Sequence, residues 1–154
     1  LTIPQIAAEA GVTPSTIYRR WGDLGDLLAD VAIERLRPDG EPADTGSTRG
    51  DLEVWLEQYV DEMSSEPGRA MTRDVLTGTS DPRKACRCVD FTRQQLVAIA
   101  ARAHDRGEPA LDPDILIDHV VAPVMFRILF QEERPSDAFW RALLDRCLAS
   151  PSAP

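Results

Sequence analysis

Apolar residues recur at helical spacing along the whole chain, and no stretch alternates with the two-residue period of a strand. Near the start, Ile6, Ala7 and Ala10 share one face of a short helix over residues 3–10. Pro4 sits in its first turn, where a missing N–H costs nothing. Gly11 follows, the residue type that takes a left-handed helix end without a Cβ clash. Val12 is expected to re-enter the core. Thr13 is placed to cap a second helix that Pro14 begins and that runs to about Arg20, with Ile17 facing inward. A third helix over residues 27–36 carries Leu27, Leu28, Val31, Ile33 and Leu36, and Asp23 can cap its approach.

Residues 37–46 (RPDGEPADTG) are rich in Pro, Gly and acid and read as a loop or hinge. Beyond it, Leu52, Leu56, Tyr59, Val60 and Met63 fall on one face of a helix over 48–66, with Trp55 at the edge. Pro67-Gly68 is read as its breaker. A short helix over 70–76 closes at Gly78. Asp81-Pro82 is an N-cap and first-turn pair, starting a long helix over 82–106 that Gly107 ends. Asp112-Pro113 repeats the device. Ile117, Val120, Val121, Val124, Ile128 and Leu129 then form a broad stripe with Pro123 inside it. That proline removes the bond to the His119 carbonyl and predicts a kink. Ser136 caps the last helix, with Phe139, Trp140, Leu143, Leu144, Cys147 and Leu148 apolar, and residues 150–154 read as a frayed tail. The fold class is therefore all-α, divided into a small helical head over 1–36, a connection over 37–46 and a helical body over 47–150.

The order Ala7, Gly11, Val12, Ile17 is that of a helix-turn-helix: a small residue at the crossing, a glycine turn and two branched residues fixing the angle. Ile6-Ala7-Ala8-Glu9-Ala10-Gly11-Val12, then Ser15-Thr16-Ile17-Tyr18-Arg19-Arg20-Trp21, then Leu27-Leu28 together resemble the TetR family of bacterial transcriptional regulators. The resemblance covers nearly all of residues 2–28. A looser one extends over 112–148, through Pro123 and Phe126-Arg127-Ile128-Leu129. It implies a helix-turn-helix head for DNA on a body that binds a small-molecule inducer and dimerises through its last two helices. The family commonly has a phosphate-binding lysine at the start of the helix after the recognition helix, where this chain has Leu24. The family's first helix is also missing. The chain starts on leucine rather than methionine and is expected to be truncated at its N-terminus. Without that helix, Ile6, Ile17 and Leu27 are expected to lose part of their cover.

Composition narrows the function. The formal net charge of −9 argues against a general nucleic-acid binder and leaves room for a small DNA-reading module on an acidic body. Residues 1–36 themselves hold three arginines against five acids. Three cysteines without a framework spacing fit a reducing cytoplasm. No apolar run approaches a membrane span. Cys86-Arg87-Cys88 is not a metal motif, because helical positions two apart face different ways. Two distant histidines and no nucleophile–base–acid set oppose an enzyme, and nothing calls for a cofactor.

The candidate DNA-binding residues are Thr13, Pro14, Ser15, Thr16, Tyr18, Arg19 and Arg20, whose hydroxyls and guanidinium groups suit phosphates and base edges. By resemblance, Thr13 and Tyr18 are the phosphate contacts, and Ser15 and Arg19 the base readers. The candidate ligand-binding residues are Trp55, Tyr59, Met63, Phe91, His119 and Phe126, each of which can equally be core or dimer interface. For His119, a satisfied core histidine is the competing reading. The expected function is a ligand-responsive regulator, a repressor acting as a homodimer on a palindromic double-stranded DNA operator. The alternative is a helical sensor or interaction protein with a vestigial head.

Overall fold

The computed structural model describes the backbone of residues 1–78 and 82–149, and their side chains apart from those of 82–85. Asp81 as a cap and 150–154 as a tail lie outside the described residues. Among those described, the secondary structure is all helical. The order is α1 (Ile3–Glu9), α2 (Pro14–Trp21), α3 (Leu24–Arg35), α4 (Thr48–Ser64), α5 (Glu66–Gly78), α6 (Pro82–Asp105), α7 (Pro113–Leu116), a π-type turn (Ile117–Val121), α8 (Ala122–Phe130) and α9 (Asp137–Ala149). Two compact units result. The first comprises Leu1–Arg37 with Ala70–Val89, and the second Pro38–Arg69 with Asp90–Pro154.

In the first unit, Ile3, Ala7, Ile17 and Leu27 form a buried cluster, with Ile6, Trp21 and Leu24 packed against it. Ile17 and Leu27 are thus covered by α1, α2 and α3 themselves, which corrects the expectation that both lose cover; Ile6 is half-buried. Asp23 caps α3, its carboxylate accepting from the Asp26 amide at 2.9 Å. Gly25 and Gly78 meet at close range: a Cβ on Gly78 would lie 2.7 Å from the Gly25 carbonyl oxygen. Gly78 therefore does more than end a helix.

In the second unit, α4 packs against α8 and α9. Its core includes Leu52, Leu56, Val60, Leu96, Ile99, Leu116, Val124, Ile128, Trp140 and Leu144. Pro67-Gly68, read as a helix breaker, lies in the first turn of α5. A proline is tolerated there because the first-turn N–H groups have no partner within the helix. Gly68 is needed for space, since a Cβ would sit 2.0 Å from the Glu62 carbonyl oxygen.

Pro123 lies inside a continuous helical run from Pro113 to Phe130, as its place in the apolar stripe implies. A widened turn precedes it, with the Ala122 amide donating five residues back to the Ile117 carbonyl. Pro123 follows directly, and the helix continues through it into α8. Leu116, Val120, Val124 and Ile128 are all buried. A strict four-residue spacing drifts around a helix of 3.6 residues per turn, and the wide turn takes up part of that drift. Leu129, expected in the buried stripe, is 42% exposed.

The loop over 38–47 is fastened within its own unit. Asp51 is fully buried and accepts from the Thr45 amide at 2.6 Å, the Thr45 hydroxyl at 2.8 Å and Arg106 at 2.7 Å. Gln95 donates to the Gly40 carbonyl, and Arg102 to the carbonyls of Pro42 and Ala43. Burial pushes the Asp51 carboxyl up, but these donors outweigh it and hold it below the ordinary aspartate value. Glu108 accepts from the Thr48 amide at 3.0 Å, and that bond, with Arg106, holds its carboxyl low. Arg69 closes the far end of α8, donating to the carbonyls of Ile128, Gln131 and Glu132.

Candidate nucleic-acid interface

The turn between α1 and α2 is built from backbone bonds. Gly11 adopts a φ of +67°, the left-handed region that favours glycine. The Val12 amide donates to the Ala7 carbonyl at 3.0 Å, closing the end of α1. The Val12 side chain is nevertheless 43% exposed, which corrects the expectation of a core residue: Ile3, Ala7, Ile17 and Leu27 fill the core without it. Thr13 takes the extended backbone of an N-cap, but its hydroxyl does not cap α2. It pairs with the Ser15 and Thr16 hydroxyls at 2.9 and 3.0 Å.

Ile17 is 4% exposed and pins α2 to the core, so the opposite face points outward. Thr13, Pro14, Ser15, Thr16, Tyr18, Arg19 and Arg20 are all exposed. The surface therefore groups three hydroxyls at the positive end of a helix dipole with two arginines and a phenol further along. Four of the five acids of this region are engaged elsewhere. Asp23 caps α3, Asp26 is buried, and Asp30 accepts from the Trp21 indole at 3.0 Å. Glu34 pairs with Arg87 and Arg37, and the Arg87 bond leads in holding its carboxyl low. Glu9 is exposed on α1. A sum of charges over 1–36 thus misstates the α2 face, which carries arginine and no acid. Leu24, at the position where a lysine is common, packs against the core cluster.

The candidate ligand residues are distributed unevenly. Trp55 and Met63 are buried on α4, and Tyr59 stacks on Trp55 with ring centroids 5.1 Å apart. Phe91 is half-buried on α6. His119 and Phe126 face outward in the isolated chain: His119 holds its Nδ1 3.0 Å from the Ile115 carbonyl oxygen, and Phe126 packs on Phe130 with centroids 4.9 Å apart. His119 is therefore no core histidine, a correction that follows from its place on the outer side of the widened turn. Phe126 and Phe130 are 64% and 73% exposed, and with Leu129 they form an apolar face on α8. Sequence reasoning missed the Trp21–Asp30 bond, the Asp51 cluster and the Arg69 closure, because each joins positions without a fixed spacing.

Cys86 is exposed and Cys88 half-buried; burial raises the Cys88 thiol. Among the described residues, no three side chains gather as a metal site, and no helix is long and apolar enough to cross a membrane.

Comparison with known proteins bears on both units. The family described as "Bacterial regulatory proteins, tetR family" matches residues 1–31, and "Tetracyclin repressor-like, C-terminal domain" matches residues 42–147. An HTH-type transcriptional regulator of Rhodococcus erythropolis, AqdR, is 30% identical over 106 residues, covering 67% of this chain and 51% of that protein. The match thus spans about half the length of that relative. An uncharacterized HTH-type transcriptional regulator of Mycobacterium bovis is 29% identical over 150 residues, covering 94% and 74% of the two chains. Another from Bacillus subtilis is 23% identical over 150 residues, covering 94% and 76%.

Proposed function

The chain belongs to the TetR family of bacterial transcriptional regulators, and from that premise we propose that it is a ligand-responsive repressor acting as a homodimer on a palindromic operator. The observation that carries the reading is the outer face of α2: hydroxyls, a phenol and two arginines exposed together, with Ile17 beneath them. In this reading residues 1–36 hold DNA, 37–46 connect, and 47–150 bind the inducer and dimerise. The protein acts in the cytoplasm, where the DNA is.

The mechanism is geometric. Two copies of α2 reach successive major grooves, about 34–36 Å apart for the simplest half-site arrangement. Thr13 and Tyr18 hold phosphates, while Ser15 and Arg19 reach base edges. Trp55, Tyr59, Met63 and Phe91 supply the body's ligand surface. A small apolar or aromatic molecule that binds one body arrangement better shifts the population of the spacing that DNA accepts. The exposed Phe126, Leu129 and Phe130 supply the dimer seam, with His119 beside it.

Duplex binding across a salt series tests this. A repressor loses affinity steeply as salt rises and prefers a palindrome. Tyr18→Ala weakens the binding about tenfold by removing a hydrogen bond to phosphate while leaving the dimer intact. Flat, weak, sequence-blind binding would instead support a sensor with a vestigial head.

A further inference from the structure

The recognition helix ends on an indole that is tied down from outside the helix. Trp21 Nε1 donates to Asp30 Oδ2 of α3 at 3.0 Å. The Arg20 guanidinium lies over the same indole, 4.7 Å from the ring centroid. On the other side of the carboxylate, Arg87 Nη1 is 4.0 Å from Asp30 Oδ1, and Arg87 also pairs with Glu34. All five residues belong to the first unit.

The chemistry of each member is restricted. An indole N–H can only donate, and an ionised carboxylate can only accept. One bond at the ring edge, with packing of the ring on the core cluster, fixes the plane of the indole. A guanidinium stacks on that face through cation–π attraction. Arg20 is a long side chain that must surrender rotamer freedom to grip a phosphate. A ring held in place removes part of that cost before DNA arrives. Taken alone, an acid this close to a DNA-binding surface repels phosphate. Here one oxygen of that acid accepts the Trp21 indole and Arg87 lies 4.0 Å from the other, which fits a carboxylate that orients its neighbours.

We infer that Asp30 is a positioning residue for DNA binding: it fixes Trp21, and the Trp21 face holds the exposed Arg20 guanidinium ready for a phosphate. The inference rests on the DNA-binding reading given above. Asp30 touches no DNA itself and acts through Trp21.

The test uses the full chain and a fluorescein-labelled duplex carrying the sequence that the wild-type chain enriches from a random library. Binding is read by anisotropy across a salt series, with thermal melting of every variant alongside. Asp30→Ala weakens binding about tenfold, whereas Asp30→Asn stays within about twofold, because an amide oxygen still accepts the indole N–H. Asp30→Ala and Arg20→Ala each flatten the slope of log affinity against log salt by about 0.9 for each phosphate no longer neutralised. In the Arg20→Ala background, Asp30→Ala has little further effect, since the group it orients is gone. Trp21→Phe keeps the ring and loses the donor; it reproduces the flattened slope and keeps the inference testable should Asp30→Ala fail to fold. An unchanged slope overturns the inference, as do equal losses in both backgrounds or tighter binding by Asp30→Ala. A wild-type chain that binds no duplex in a salt-dependent way overturns the DNA-binding reading itself, and this inference with it.

Discussion

Asp51→Ala is the substitution whose cost the structure defines most closely. The carboxylate is fully buried, and the Thr45 amide, the Thr45 hydroxyl and Arg106 all lie within 2.8 Å of it. Removing one member of a buried ion pair costs about 3–5 kcal/mol when the other is left alone. Here the other members keep company. Arg106 retains Asp44 at 2.8 Å and Glu108 at 3.2 Å, and Arg102 retains the carbonyls of Pro42 and Ala43. The loss is therefore set chiefly by the orphaned Thr45 amide and the missing charged bonds, which places it near the lower end, about 3 kcal/mol. Asp51→Asn retains the volume and one acceptor oxygen and costs less, about 2 kcal/mol. Urea unfolding in a Trp21→Phe background isolates the response, because the remaining indoles, Trp55 and Trp140, are both buried in the second unit. A loss under about 1 kcal/mol for Asp51→Ala would refute the reasoning, since that is the size of a screened surface pair. Faster proteolysis over residues 38–46 accompanies the loss if the cluster is what fastens the loop.

The same groups set an acid limit: Asp51 and Glu108 have carboxyls lowered in the folded chain, so their contribution is complete above the unfolded values near 4 and is lost as pH falls through the folded ones. Thermal melting is expected to be flat from about pH 7 to 5 and to fall steeply below about 4, less steeply in Asp51→Ala. Gly11→Ala meets open space but holds a φ of +67°, so it destabilises the first unit by about 1 kcal/mol, read by chemical denaturation. Gly78→Ala acts differently, through a Cβ 2.7 Å from the Gly25 carbonyl oxygen, and should cost more than Gly11→Ala in the same measurement. Phe126→Asp changes an exposed residue and leaves the core of each copy intact; sedimentation is expected to show monomers at concentrations where the wild-type chain dimerises, and an undisturbed dimer places the seam elsewhere.

Much of the first unit was legible in the sequence because its signals are local. Gly11 takes the left-handed turn, Asp23 caps α3, and Ile17 is inward, as spacing alone implies. Thr13 illustrates the limit: its type fixes the start of α2, but hydroxyl partners two and three residues away decide that it does not cap. Val12 shows the same limit: its amide closes α1, but the core cluster is filled by other residues and its side chain is outward. The candidate ligand residues were less legible. Periodicity places Trp55 and Met63 inward, but it assumes a uniform 3.6-residue turn, and the widened turn before Pro123 breaks that assumption beside His119.

The sequence by itself determined the helical class, the glycine turn, the helix caps at Asp23, Asp112 and Ser136 and the family, because each depends on residues a few positions apart. Tertiary structure alone decided which charges remain available. Asp23, Asp26, Asp30 and Glu34 look like a burden on a DNA-binding head when summed along the chain. In space they cap, lie buried, hold Trp21 and pair with arginine, and the exposed side of α2 keeps its hydroxyls and arginines. The reason is that electrostatic interaction falls with distance and with screening, so the partner a charge meets in the fold matters more than the total to which it contributes.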